Sequence, residues 1–546
     1  MDPTIGNCVG SHGYCRYRDM PPMEGIYSMA NNKTAAVCLG KGDITLVDPK
    51  NKVWTTGPMD CNCEEEPQLG TTLEGISFGT GHAVSKCACT MHNALCNRHA
   101  YLQPPLLKPI TNYIHEEFVN DIQASYLDYY LDVSQETIKR RGNWSNVWND
   151  RFPGSKADAN LISLENEQIE CSLVDPFGKR EVSKDKYPTK GRCIAAYKTK
   201  ATGATLGPQY YAFQKATAVV SNRYVEIGVT RAHITIASGM DHNQIGGWMD
   251  EAMAMPGKIH FYERDGKTWD ATMRHEHLDM VNHIMRCCDQ ELARHNRLCY
   301  DTKGRYTHKG SSVFYSVIGT RKSGHNDTSS GNSLINAEIA LAAAVDLGLE
   351  HVRIIVMGDD MLMAISDPPS NYVESLRKAE AMYGIRPEAG GFTNPLDTTF
   401  ISARWYPRYD GTYAFGPIIC RQLIGLFWTI KALSPQQRPK WVSTVARSFL
   451  VPFDGCPIMD AFLRSQITTS EEMDIDKYIK KLRPMIGVDW PMYFLTRYGL
   501  TETETKDVEN MIWGLKGQVK LINSPLVEAM KPHDMSDPAD RPLCIF

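Results

Sequence analysis

Val352-Arg353-Ile354-Ile355-Val356-Met357-Gly358-Asp359-Asp360-Met361-Leu362-Met363-Ala364-Ile365 is the stretch whose reading decides how this chain folds. β-Branched and other apolar residues on both sides favour paired strands, and Gly358 is the residue type that tolerates the backbone angles of a sharp turn. The pattern predicts a tight hairpin with Asp359 and Asp360 at its tip. Adjacent carboxylates repel each other, so they are stable as anions mainly when a divalent cation sits between them. Taken alone the triplet is weak evidence, because an Asp pair in a turn is more often solvated than reactive.

Outward from the hairpin the chain supplies two further segments. Upstream, Lys258-Ile259-His260-Phe261-Tyr262-Glu263-Arg264 reads as a strand that delivers Asp265, with Asp270 following in the next turn. Between them and the hairpin lies Ser323-Gly324-His325-Asn326-Asp327-Thr328-Ser329-Ser330-Gly331-Asn332, leading into an Ala-rich helical stretch from Ser333 to Leu347 that Gly348 can terminate. In order, these segments resemble motifs A (Asp, four residues, Asp), B (Ser-Gly, three residues, Thr, three residues, Asn) and C (Gly-Asp-Asp) of viral RNA-dependent RNA polymerases.

The resemblance continues on both sides. Phe177-Gly178-Lys179-Arg180-Glu181 and Lys190-Gly191-Arg192-Cys193-Ile194 look like motif F of positive-strand RNA virus polymerases, and Pro153-Gly154-Ser155-Lys156 is similar to the motif G turn. Ser238-Gly239-Met240 and Ile245-Gly246 suit the tombusvirus-like and nodavirus-like group, and Phe400-Ile401-Ser402-Ala403-Arg404-Trp405 resembles its motif E primer grip. What this implies is an α+β right-hand polymerase with fingers, palm and thumb, whose antiparallel palm sheet carries the Gly-Asp-Asp hairpin. The expected division is a Cys-rich N-terminal extension over 1–70, fingers over 71–257, palm over 258–407 with a fingers insertion at 296–322, and thumb over 408–546.

The resemblance also implies roles. Asp265, Asp359 and Asp360 would be the catalytic carboxylates and hold two Mg²⁺ ions, for which Mn²⁺ can substitute, with the Gly266 carbonyl as an extra ligand. Lys179, Lys190 and Arg192 would hold the triphosphate, and the planar guanidinium of Arg192 suits phosphate oxygens best. Ser323, Gly324 and Thr328 would form the loop that touches template and incoming nucleotide. Asp270 and Asn332 would read the ribose 2′-hydroxyl, one accepting and one donating. Phe400, Ser402 and Trp405 would form the primer grip, although Trp405, like Cys287 and Cys288, reads by itself as core packing rather than chemistry. A reverse transcriptase would be expected to carry aromatic residues where Asp270 and Met357 stand. One departure concerns motif D, where relatives carry a lysine that can protonate the departing pyrophosphate. Here the comparable stretch is Tyr383-Gly384-Ile385-Arg386-Pro387-Glu388, which leaves Arg386 and Lys378 as candidates, and an arginine stays charged near neutral pH.

Composition bounds the remaining classes. With 546 residues the chain can bury a large core, and its net charge of −4 does not advertise a nucleic-acid binder. Locally the balance reverses, since Gly178 to Lys200 carries eight Lys or Arg against two acids. Such a run suits nucleotide entry or a solvated loop. There is no apolar run long enough for a membrane-spanning helix and no signal-peptide pattern after Met1-Asp2-Pro3. The expected setting is the host cytoplasm at membrane-associated replication sites, with RNA template and product, nucleoside triphosphates and viral or host replication proteins as partners. Half of the sixteen cysteines fall in the first hundred residues. Cys61, Cys63, Cys87, Cys89, His92, Cys96 and His99 are zinc-ligand types, but Cys-X-Cys spacing is not that of a standard finger, and reduced thiols with ordinary histidines fit as well. Two other classes compete with a polymerase: a catalytically silent RNA-binding replication scaffold, and a metal-dependent phosphohydrolase.

Overall fold

The computed structural model describes residues 35–38, 44–56, 70–71, 81–83, 87–110, 112–137, 154–179, 182–184, 193–426, 428–429, 433–473, 482–514 and 525–534. At its centre is a six-stranded sheet ordered Pro387–Phe392, Ile259–Gly266, Asp360–Ser366, His351–Met357, Thr230–Ile236 and Arg223–Ile227. His351–Met357 and Asp360–Ser366 pair antiparallel from Val352↔Ile365 to Met357↔Asp360, which leaves Gly358 and Asp359 as the turn. Gly358 has φ +64°, a conformation open to glycine at no steric cost.

Apart from Arg353 and the two aspartates, the paired stretches of the hairpin are apolar because both of its faces are covered. Ile354, Val356, Met361, Met363 and Ile365 pack with the helices Tyr113–Thr137, Lys200–Val220, His275–Cys288, Thr328–Asp346 and Tyr372–Met382. Ile355, Leu362 and Ala364 alternate to the other side, against the helix His242–Met253 and the aromatic group Phe400, Trp405 and Phe415. The sheet is mixed rather than antiparallel throughout. Thr230–Ile236 runs parallel to His351–Met357 because the chain between them passes through other elements and does not return by a hairpin.

The helix Lys200–Val220 carries Pro208 inside it and packs along Tyr113–Thr137. The helix expected from Ser333 begins at Thr328, so Ser329, Ser330 and Gly331 are helical despite their low propensity. Gly348, at φ +62°, ends it as expected.

A second, five-stranded sheet is ordered Lys52–Thr56, Ser311–Val317, Thr302–His308, Leu173–Gly178 and Cys193–Tyr197. One face packs on the helix Ala88–Arg98 through Val53, Val174, Ala195, Val313 and Leu95. Lys52–Thr56, within the expected N-terminal extension, is an edge strand of a sheet built from segments distant in sequence. A further core, including Trp441, Phe453, Phe462, Tyr493 and Phe494, is formed by the helices Gln437–Phe453, Met459–Ser465, Trp490–Tyr498 and Glu502–Gly514.

Candidate active site

Asp265 lies near the end of the strand Ile259–Gly266, one residue beyond the Arg264↔Met361 pair, and so beside Asp360 on the neighbouring strand. Alternation sends Arg264 to the helix side and puts Glu263 and Asp265 on the other. The carboxylates feel one another. Burial raises the pKa of Asp360 to about 7, and the charges of Asp359, Asp265 and Glu263 push in the same direction against Arg421. Asp265 reaches solvent, yet partial desolvation and then Asp359 and Glu388 raise it too, while Arg264 and Arg98 oppose.

The turn is held from below by the helix Thr328–Asp346. Ser333 Oγ accepts the Gly358 N–H at 2.8 Å, and Asn336 Nδ2 donates to the carbonyls of Gly358 at 3.0 Å and Asp360 at 3.2 Å. Asn336 Oδ1 in turn accepts from Arg264 Nη2 at 2.6 Å. The Arg264 guanidinium is fully buried against Glu380, whose carboxylate also accepts from the Tyr262 hydroxyl at 2.7 Å. The sequence reading missed Ser333, Asn336 and Glu380. A signal was present: Asn332 and Asn336 are polar residues one turn apart in an otherwise Ala-rich helix, which puts both on one face.

A second group gathers around Asp270, which burial raises although Ser323 and Asn332 hydrogen-bond to it. Asn332 Nδ2 donates to Asp270 Oδ1 at 3.2 Å, and the Ser323 hydroxyl donates to Oδ2. Asp359 raises Asp270 as well, so this group and the turn share one electrostatic field. The Ser323 carbonyl accepts from Ala195 N–H at 2.8 Å, joining the loop to the edge of the five-stranded sheet. Gly324 has φ +121°, and a Cβ there would lie 2.6 Å from Ile194 Cγ2. Thr328 Oγ1 donates to the Lys322 and His325 carbonyls at 2.8 and 2.9 Å, closing the loop onto the helix.

Other expected residues stand apart. Lys179 follows the strand Leu173–Gly178, whereas Lys190, Arg192 and Pro153 lie outside the described residues. Phe400 and Trp405 are buried and Trp405 Nε1 donates to the Ile245 carbonyl, so of the three expected grip residues only Ser402, at the turn, is exposed. Arg386 donates to the Leu102 carbonyl at 2.8 Å beneath the Tyr101 ring, and Lys378 pairs with Glu374 on its own helix. Arg98, absent from the sequence reading, lowers both Asp265 and Asp270.

Among the described residues no group of three or more His, Cys, Asp or Glu side chains is gathered to hold a metal ion. The oxygen donors at the turn nonetheless suit a hard divalent cation, whose charge would relieve the repulsion that raises Asp265 and Asp360. The cysteine-rich region is a poorer match. Cys61 and Cys63 lie outside the described residues, Cys87 caps the helix by accepting from Thr90 N–H, and burial pushes the Cys96 thiol up and His99 down to about 3.

Residues 219–392 match the family model for viral RNA dependent RNA polymerase. The matched span contains all six strands of the central sheet, the Asp270 group and the Gly358 turn. It supports a viral polymerase. No curated protein matches the chain. Among the described residues no helix is long and apolar enough to cross a membrane.

Proposed function

We propose that the chain is the RNA-directed RNA polymerase of a positive-strand RNA virus of the tombusvirus-like or nodavirus-like group, acting in the host cytoplasm at membrane-associated sites with other replication proteins. The observation that carries the reading is the meeting, in one electrostatic field, of the Asp359–Asp360 turn, the strand-end Asp265 and the Asp270–Asn332 pair. The central sheet would be the palm, the five-stranded sheet part of the fingers, and the C-terminal helices the thumb.

Asp265 and Asp359, with Asp360 as auxiliary, would hold Mg²⁺ or Mn²⁺. When bound, the cations supply charge neutralisation on the attacking 3′-oxygen and the leaving pyrophosphate oxygen. The protein's own part is placement. Ser333 and Asn336 fix the turn so that both Asp359 and Asp360 project from a rigid support. Asp270 accepts from, and Asn332 donates to, a ribose hydroxyl. Ser323, Gly324 and Thr328 set the loop between nucleotide and template, and Lys179, Lys190 and Arg192 offset triphosphate charge.

The test is nucleotide incorporation on an RNA template with purified protein. Asp359→Ala and Asp265→Ala should abolish synthesis while leaving fold and RNA affinity intact, because each removes a metal ligand but no core packing. Incorporation by either variant at a tenth of wild type or more removes that residue from the assignment.

A further inference from the structure

We propose that Arg321 is a positioning residue that fixes which way the Asn332 amide faces, and thereby sets how strongly the site prefers a ribose over a 2′-deoxyribose. The inference rests on the polymerase reading and deepens it. Arg321 lies two residues before Ser323 and is 4 % exposed. Its backbone N–H donates to the Asp270 carbonyl at 2.8 Å, and its side-chain Nε donates to Asn332 Oδ1 at 3.1 Å. Nη1 pairs with the buried carboxylate of Asp327. One residue thus touches both members of the proposed sugar-reading pair.

The consequence follows from what an amide can do. Asn332 can place either its oxygen or its NH₂ toward Asp270, and the two arrangements have nearly the same shape. A guanidinium has donors and no acceptor, so it can face only the amide oxygen. Turning Asn332 over would set NH₂ against N–H on one side and oxygen against the Asp270 carboxylate on the other. With Arg321 in place the NH₂ must face Asp270, the arrangement observed at 3.2 Å. A sugar hydroxyl entering between them then meets one fixed donor and one fixed acceptor, whereas a freely turning amide would offer either.

Gly331 supports the same device by a different route. A Cβ at this position would lie 2.7 Å from Arg321 Nη2 and 3.1 Å from Cζ. The guanidinium passes over the helix where there is no side chain, directly before Asn332. Gly331→Ala therefore displaces the guanidinium without removing any charge, and it raises local helix propensity.

The experiment measures kcat/KM for a ribonucleotide and its 2′-deoxy counterpart on one RNA template. Four proteins are compared: wild type, Asn332→Ala, Gly331→Ala, and the charge-balanced double variant Arg321→Met/Asp327→Leu. For the double variant, ribonucleotide efficiency should fall at least about tenfold more than deoxynucleotide efficiency. Gly331→Ala should narrow the preference at least about threefold, chiefly through KM for the ribonucleotide. Equal losses on both sugars, in either variant that folds, would make Arg321 a merely structural residue and overturn the inference. If Asn332→Ala narrows the preference while neither Arg321 nor Gly331 variant does, this inference fails and the polymerase reading stands. A wild type that incorporates nothing, or an active Asp359→Ala, overturns both.

A separate surface carries a second inference. The face of the five-stranded sheet turned away from the helix Ala88–Arg98 bears an open groove of about 720 Å³. Lys198, Lys303 and Arg305 line it against one carboxylate, Asp175. The charge of Lys198 acts on Asp175, against the burial that raises this carboxyl, and Lys303 and Arg305 leave the groove with an excess of positive charge in a chain of net charge −4. Beside them Phe314 stacks on Trp54 at 5.4 Å, with the Arg305 guanidinium over the Phe314 ring at 5.2 Å. Excess cations in one cross-strand row with an aromatic stack, where Arg305 and Trp54 flank the Phe314 ring, suit a single strand, with phosphates on the cations and a base on the Trp54 ring. We infer that this face binds single-stranded RNA without regard to sequence; this too rests on RNA being the chain's ligand. Lys303→Glu/Arg305→Glu should weaken binding of a labelled single strand at least about tenfold and flatten the log K against log salt slope by roughly 1.4. Incorporation on a template of a few nucleotides should stay within about twofold of wild type. Unchanged affinity and slope overturn the inference, as does poly-glutamate displacing RNA from wild type but not from the variant at equal charge, which would assign the face to an acidic protein partner.

Discussion

Glu380 lies outside the proposed chemistry, yet its loss should damage both stability and synthesis, and the two effects can be separated. Its carboxylate is fully buried, accepts from Arg264 Nε at 3.2 and 3.3 Å and from Nη2 at 3.1 Å, and takes the Tyr262 hydroxyl at 2.7 Å. In Glu380→Ala the guanidinium stays buried without its counter-charge, which costs roughly 3–5 kcal/mol, because the lost partner cannot be replaced by water in a closed core. An orphaned Tyr262 hydroxyl adds about 1 kcal/mol or more. At roughly 2–4 °C per kcal/mol for a domain of this kind, the melting temperature should fall by about 6 °C at least. Arg264→Met/Glu380→Leu removes both charges together, so most of the lost stability should return. Synthesis should not return, because in the double variant Asn336 Oδ1 has lost the Arg264 donor at 2.6 Å that sets the amide holding the Gly358 turn, a donor that Glu380→Ala only frees from its anchor. Thermal unfolding and incorporation kinetics on the three proteins decide the matter. A fall of less than about 2 °C in Glu380→Ala, or a double variant that regains full kcat, would refute the reasoning.

Four further outcomes are expected. Asn336→Ala should lower kcat about tenfold or more with little change in nucleotide KM, since it frees the turn and not the nucleotide contacts; single-turnover kinetics test this. Arg192→Ala should raise the nucleotide KM and lower kcat, because the triphosphate gains charge at transfer, and unchanged kinetics with weaker template binding would move the residue to the RNA path. Trp405→Ala should cost about 3–5 kcal/mol by opening a cavity among Phe400, Trp248 and Phe415, read by denaturant unfolding. His115 sits 2.6 Å from Glu338 in the core; burial pushes its pKa down, but the Glu338 charge and hydrogen bond outweigh this and leave it raised. The stabilisation is therefore full below the unfolded value of about 6.5 and is lost as pH rises through the folded value, so the melting temperature of wild type relative to His115→Gln should fall between neutral and alkaline pH.

The hairpin was legible because its cause is local. Two apolar runs around a glycine with positive φ can do little else, and alternation assigned their side chains to two covered faces. The spacing of Asp265, Asp270, Asn332, Asp359 and Asp360 was visible for the same reason, since each lies in or beside a regular element. The sequence by itself did not determine what these residues rest on. Arg264, Asn336 and Glu380 come from three elements and meet only once the sheet and helices have packed, and the desolvation that makes their pairing matter exists only in that packed core. The start of the helix at Thr328 was likewise a tertiary outcome, where contacts across the fold outweighed the propensity of Ser329, Ser330 and Gly331, whereas the burial of Trp405 agrees with its reading as a core residue. Sequence spacing can order chemical groups along a chain, but the orientation of an amide such as Asn332 depends on a partner, Arg321, whose donors reach it only through the folded loop.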